Sequence, residues 1–205
     1  MERLGIFGGT FDPPHFGHLV LAAEAAYQLH LDRVLWVLTP NPPHKVGQSI
    51  SSIQDRIDLV YAAISQDPCF ELSLVDVNRK PPHYSVDTLR LLVDQYPASN
   101  HELVFLIGGD SLANFLTWHS PHELVDQIHE LGVFQRPGVN IDLPKLEENI
   151  PGITRKIHWI AAPMIDISAS YIRNLVKQNG PYRYYLTTDV VSIIQSKKLY
   201  CTEVI

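Results

Sequence analysis

His15 and His18 stand three residues apart, just after a Gly8-Gly9-Thr10-Phe11 turn and just before an Ala- and Leu-rich run. Imidazoles and main-chain N–H groups at a strand-to-helix turn suit one task above others, the holding of a phosphate. Two glycines at a strand end let the backbone bend sharply and let a ligand approach with no Cβ in the way. A helix start adds unpaired N–H groups and a partial positive charge. A helix beginning near Pro14 would put both imidazoles on one face, aimed at the same ligand. The segment is neither common phosphate loop. It has no Gly-x-x-x-x-Gly-Lys-Ser/Thr, and no Gly-x-Gly-x-x-Gly follows the strand, which argues against a P-loop and against NAD as a bound redox cofactor.

A second candidate lies at the other end of the chain, Ile167-Ser168-Ala169-Ser170-Tyr171-Ile172-Arg173. Ser168 can cap a helix whose first N–H groups then face phosphate oxygens, and the Arg173 guanidinium can stabilise charge on a transferring phosphoryl group. Between them, Gly108-Gly109-Asp110 forms another strand-then-glycine turn that should face the first. The proline loop holding Asn41 and Lys45 begins just past a strand end, the edge at which open α/β sheets place ligands.

These residues need a scaffold, and the pattern supplies one. Apolar runs at 4–7, 33–38, 70–75, 101–107, 130–134 and 156–161 read as strands. Residues 33–38 show no alternation, as expected of a parallel strand covered on both faces. Between the runs, helices are predicted over 17–29, 51–65, 85–95, 112–116, 121–126, 168–177 and 189–197, with a weaker signal over 143–148. In 51–65 the apolar stripe is Ile53, Ile57, Val60, Tyr61 and Ile64. Ser85 or Asp87 is the expected cap of 85–95. This alternation predicts an α/β fold, a doubly wound, mostly parallel Rossmann-like sheet with helices on both faces. No linker divides the chain, so 1–205 is expected to be a single domain.

The bulk numbers agree. The chain has 205 residues, 45% hydrophobic and 19% charged, ordinary for a globular domain. A formal net charge of −6 argues against a broad nucleic-acid surface. Cys69 and Cys201 make neither a disulfide framework nor a zinc pattern, and His119 and His122 lack a third ligand at convincing spacing, so no metal site is expected. The chain opens Met-Glu-Arg directly into a strand, without a signal peptide or a membrane-length apolar run, so a cytoplasmic protein is expected.

The His-x-Gly-His core, in its longer form Gly-Gly-Thr-Phe-Asp-Pro-x-His-x-Gly-His, resembles the bacterial nicotinate-nucleotide adenylyltransferases of the His-x-Gly-His nucleotidyltransferase superfamily. Residues 167–173 resemble that family's Ile-Ser-x-Thr-x-Ile-Arg signature, with Ser170 in place of threonine. The resemblance implies adenylyl transfer from ATP to nicotinate mononucleotide, giving deamido-NAD and pyrophosphate, with Mg²⁺ carried on the ATP phosphates. It implies catalytic roles for His15, His18, Lys45 and Arg173. ATP would be held by Gly8, Gly9, Thr10, Phe11, His15, His18, Gly108, Asp110, Ile167, Ser168 and Arg173, with Asp110 on the ribose side. Nicotinate mononucleotide would be held by Asn41, Lys45, Tyr84, Thr88, Trp118 and Arg136, with Thr88 at the nicotinate and Trp118 stacked on its ring. Residues 168–205 would complete the nucleotide site. No partner beyond the substrates is implied, a homo-oligomer apart.

The acceptor in such a reaction brings its own nucleophile, an ionised phosphate, so the lack of a recognisable triad is consistent. Amide or dual acceptor specificity, and a non-catalytic nucleotide sensor on the same scaffold, are the alternatives. Phosphopantetheine adenylyltransferase shares His-x-Gly-His but is shorter and lacks the middle segments.

Overall fold

The computed structural model describes residues 1–41, 50–135 and 138–201. Six strands form one parallel sheet: β1 (Glu2–Gly9), β2 (Arg33–Leu38), β3 (Phe70–Ser73), β4 (His101–Gly108), β5 (Glu130–Phe134) and β6 (Ile157–Ile160). Their spatial order is β3-β2-β1-β4-β5-β6, with every neighbour pair parallel. This is the doubly wound order, and it reverses direction between β1 and β4.

Side chains alternate across the sheet and build a core on each face. Trp36 and Leu38 of β2 point to one face, which is covered by α1 (Phe16–Gln28), α2 (Ile53–Ile64), α8 (Ala169–Lys177) and α9 (Thr188–Ser196). Leu35 and Val37 point to the other, under α3 (Ser85–Gln95), α4 (Gly109–Ala113), α5 (Pro121–Asp126), α6 (Leu143–Asn149) and α7 (Ile153–Lys156). Ile172, Val190 and Ile194 of the last two long helices lie in the same cluster as Val34 and Trp36, so residues 168–201 share the core of the sheet. Among the described residues no helix is long and apolar enough to cross a membrane.

Two local expectations change. Of the expected α2 stripe, Val60 and Ile64 are buried and Ile53 and Ile57 pack against the core, but Tyr61 is exposed, and Arg56, Leu59 and Ala63 complete the buried face. The buried face is widened because the helix rests on both the sheet and α9, and Lys197, the C-cap of α9, anchors it with its ammonium 2.8 Å from Asp55. The N-cap of α3 is Tyr84, and no side chain caps it, so Ser85 is already helical.

The two ends of the sheet differ in chemistry. At the amino end, Arg3 bridges Glu102 and Glu130, and Arg33 bridges Glu2 and Glu71, tying the first five strands together. At the carboxyl end β1 and β4 finish in glycine, which leaves main chain open for a ligand at the reversal point.

Candidate active site

The turn from β1 to α1 sits over that reversal. The helix begins at Phe16, within one residue of the predicted start and not at Pro14, and His15 is its N-cap in extended conformation. From there the His15 main-chain N–H donates to His18 Nδ1 at 3.2 Å. An imidazole at N3 thus does what Glu or Gln does in a capping box. The two rings stack with centroids 3.7 Å apart and 29° between planes. The histidines do converge, but by capping and not by sharing a helical face.

This geometry sets their proton states. A ring nitrogen that accepts carries no proton, so neutral His18 is the Nε2–H tautomer. His15 is 6% exposed, and burial pushes its pKa down to about 4. It is therefore uncharged at neutral pH, a dipolar donor and not a cation. Its Nδ1 is buried without a partner and lies against Gly17. A Cβ at position 17 would come 3.0 Å from that nitrogen and 3.1 Å from Cε1. The glycine of the signature is set by the room this imidazole needs.

Phe11 takes a left-handed backbone, φ 48°, and folds its ring back over Gly9, where a Cβ would meet the ring at 2.6 Å. The ring packs on Trp36 at 5.0 Å and on His18 at 5.2 Å between centroids. What Phe11 leaves for a ligand is main chain. Its aromatic bed in turn fixes the His18 ring.

Arg173 reaches this loop from α8. Its guanidinium donates to the main-chain carbonyl of Asp12 at 2.7 Å, joining residues 161 apart in sequence. Ser168 caps α8, its Oγ accepting from Tyr171 N at 3.2 Å. The segments singled out at the two ends of the chain therefore meet.

The remaining candidates fall into two groups. Gly8, Gly108 and the exposed Asp110, in the first turn of α4, line the adjacent strand ends. Ile167 precedes the cap of α8, and Thr10 follows β1. Tyr84 stacks on His119, centroids 4.3 Å apart, while half-buried Trp118 packs on Phe115 at 5.2 Å. The Thr88 hydroxyl donates to Asp76 Oδ1 at 2.8 Å and accepts from Arg79 at 3.2 Å. Its one O–H is committed to Asp76, so donation from it to a ligand would have to displace that bond. Asn41 is exposed at the rim of a cavity of about 350 Å³ shared with Pro40, Arg56, Arg79 and His83. Lys45 and Arg136 lie outside the described residues.

Sequence reasoning missed Arg56. It is 3% exposed and donates to four main-chain carbonyls: Ser51 at 3.2 Å, Thr10 at 3.2 Å, Thr39 at 3.0 Å and Pro40 at 2.9 Å. It pins the β1–α1 loop to the segment after β2. A signal existed, because Arg56 falls on the apolar side of α2, three residues before Leu59 and four before Val60, where a charge needs a reason. Asp76 and Arg79, paired at 2.8 Å, organise the loop before α3 in the same way. No local pattern marks them. Among the described residues no group of three His, Cys, Asp or Glu stands close enough to hold a metal.

A constellation of helix N-terminus, neutral imidazoles and guanidinium, with no activated nucleophile, can bind a polyanion and stabilise charge developing on it. Comparison with known proteins gives the relatives of this arrangement. The model of the cytidylyltransferase-like family matches residues 6–175. A probable nicotinate-nucleotide adenylyltransferase of Thermomicrobium roseum is 42% identical over 202 residues, 98% of this chain and 93% of that protein. The nicotinate-nucleotide adenylyltransferase of Bacillus subtilis is 34% identical over 200 residues, 98% of this chain and 99% of that one. Among solved structures, Plasmodium falciparum nicotinic acid mononucleotide adenylyltransferase complexed with NaAD superposes with a TM-score of 0.76 at 18% identity, covering 98% of both chains, a likeness of fold.

Proposed function

The chain belongs to the cytidylyltransferase-like family, and from that premise we propose that it transfers the adenylyl group of MgATP to nicotinate mononucleotide, releasing pyrophosphate and forming deamido-NAD, a step of NAD biosynthesis. The observation that carries the reading is the bond from Arg173 to the Asp12 carbonyl, which brings a guanidinium to the loop that ends in the stacked His15–His18 pair. The name shared by full-length relatives supports the acceptor.

The chemistry follows from the residues. An acceptor phosphate oxygen, ionised near neutral pH, attacks the α-phosphorus. The bond from that phosphorus to the bridging oxygen breaks, and its electron pair leaves on pyrophosphate. No base, nucleophile or covalent enzyme intermediate is required, so the task of the protein is alignment and charge stabilisation. His18 supplies an Nε2–H donor. Neutral His15 adds a second dipole without repelling a metal-bearing nucleotide. The first turn of α1 adds its N–H groups, and Arg173 a full charge.

The Gly8-Gly9-Thr10-Phe11 main chain, Gly108, Asp110, Ile167 and Ser168 complete the ATP side, with Asp110 at the ribose. Asn41, Lys45, Tyr84, Thr88, Trp118 and Arg136 serve nicotinate mononucleotide. The Mg²⁺ is read as part of the nucleotide substrate, an ion held mostly by the ATP phosphates and water. The reading locates the enzyme in the cytoplasm, where its free thiols Cys69 and Cys201 would stay reduced.

The test is pyrophosphate release from MgATP with nicotinate mononucleotide and, side by side, with nicotinamide mononucleotide. Strong preference for the acid is expected. Equal rates would replace the assignment by dual specificity. Folded, ATP-binding protein that is silent with both would refute the transfer reading.

A further inference from the structure

The Asp12 carboxylate is 4% exposed, and its partners come from distant parts of the chain. Its Oδ1 accepts from the Tyr200 hydroxyl at 2.7 Å, across 188 residues. Its Oδ2 accepts from Ser51 N at 3.1 Å. The main-chain carbonyl of the same residue holds Arg173. The buried Arg56 guanidinium is close enough for its charge to be felt by both Asp12 and Tyr200, and it grips the Thr10 carbonyl two residues upstream. Tyr200 is held at its place by a left-handed turn after α9, with φ 51° at Lys198 and 62° at Tyr200. That turn brings a single phenol down onto the loop ahead of His15.

We propose that Tyr200 is a positioning residue, whose hydroxyl fixes the Asp12 loop and through it the guanidinium of Arg173. Asp12 is one residue with two duties, a side chain clamped by Tyr200 and Ser51 and a carbonyl that Arg173 uses as a rest. Rotation of the Asp12 side chain tilts the same peptide segment, so loss of the phenol bond is felt at the guanidinium. The C-terminal turn thereby becomes part of the support of the catalytic loop. A carboxylate left with one fewer donor in a buried place has a strong reason to move. A reactive group displaced by a fraction of an ångström loses much of its effect.

The kinetic test rests on the adenylyl-transfer reading and uses the full chain in four forms: wild type, Tyr200→Phe, Arg173→Ala and the double variant. At saturating MgATP and nicotinate mononucleotide, Tyr200→Phe should lower kcat about tenfold, the order expected of a displacement of about half an ångström. The same change on the Arg173→Ala background should cost less than about twofold, because the group it positions is gone. Equal losses on both backgrounds, as a merely structural hydroxyl would give, overturn the proposal, and so does no loss on either. If Tyr200→Phe does not fold, Asp12→Ala, which removes the acceptor of the phenol, takes its place in the cycle with the same expectations. Wild-type protein that releases no pyrophosphate would refute the functional reading alone. The cycle then runs on the MgATP dissociation constant, where Tyr200→Phe should weaken binding about threefold only while Arg173 is present. Additive effects there overturn the proposal equally.

Discussion

Replacing Gly17 by alanine should make this protein no less stable and much less active. Gly17 is the second residue of α1 and has an ordinary helical backbone, so alanine fits the main chain. On propensity alone the change favours the folded state by about 0.5–1 kcal/mol. The new methyl, however, arrives 3.0 Å from His15 Nδ1 and 3.1 Å from its Cε1, while its other near neighbour, Ile165, is at a comfortable 3.8 Å. Comfortable separation for such atoms starts near 3.5 Å, so the overlap is about 0.5 Å. The ring is the end of a side chain and can yield, so the helix gain survives and the imidazole moves. Since a misplacement of about 1 Å costs about a hundredfold, half of that should cost about tenfold in kcat. Pyrophosphate release at saturating substrates and a thermal melt decide the matter together. For a chain of this size, 1 kcal/mol corresponds to about 2–4 °C. Turnover within about twofold of wild type, with the melt raised, would show that the position of His15 does not matter. A melt lowered by more than about 5 °C would show that the methyl strikes the fold and not the ring.

Other expectations follow from the same geometry. His18→Ala should lower kcat by about 10²–10³, the loss of a transition-state donor, and should cost about 1–2 kcal/mol in a denaturant titration as the cap on His15 N disappears; near wild-type turnover would remove His18 from catalysis. The His15 pKa lies near 4, below the usual 6.5, so the unfolded chain binds a proton that the folded one refuses. Its contribution to stability is complete above about pH 6.5 and is lost as pH falls toward 4, by up to about 3 kcal/mol. Chemical denaturation of wild type and His15→Asn at pH 7.5 and 5 should show a shallower pH dependence in the variant, and parallel slopes would contradict the burial argument. Arg56→Met should lose about 2–4 kcal/mol by leaving the carbonyls of Thr10, Thr39, Pro40 and Ser51 without a donor; a midpoint unchanged from wild type would mean that water replaces the guanidinium without cost.

What the sequence by itself determined is what local physics governs. The bounds of β2, α3, α5 and β5 coincide with the predicted ones, because apolar runs, helical spacing and turn residues act over a few positions. The glycine turns and the His-x-Gly-His and Ile-Ser-Ala-Ser-Tyr-Ile-Arg segments are likewise local, so the catalytic candidates could be named before their arrangement was seen. The tertiary structure decided everything that depends on groups far apart in the chain or on exclusion of water. It set the strand order that brings Gly9 beside Gly108. It placed α2 so that Arg56, and not Tyr61, faces inward. It made His15 neutral by burial and gave His18 its tautomer through a cap. It laid Arg173 and Tyr200 on Asp12 from 161 and 188 residues away. Desolvation and long-range contact are properties of the packed chain, and no spacing of residues along the sequence carries them.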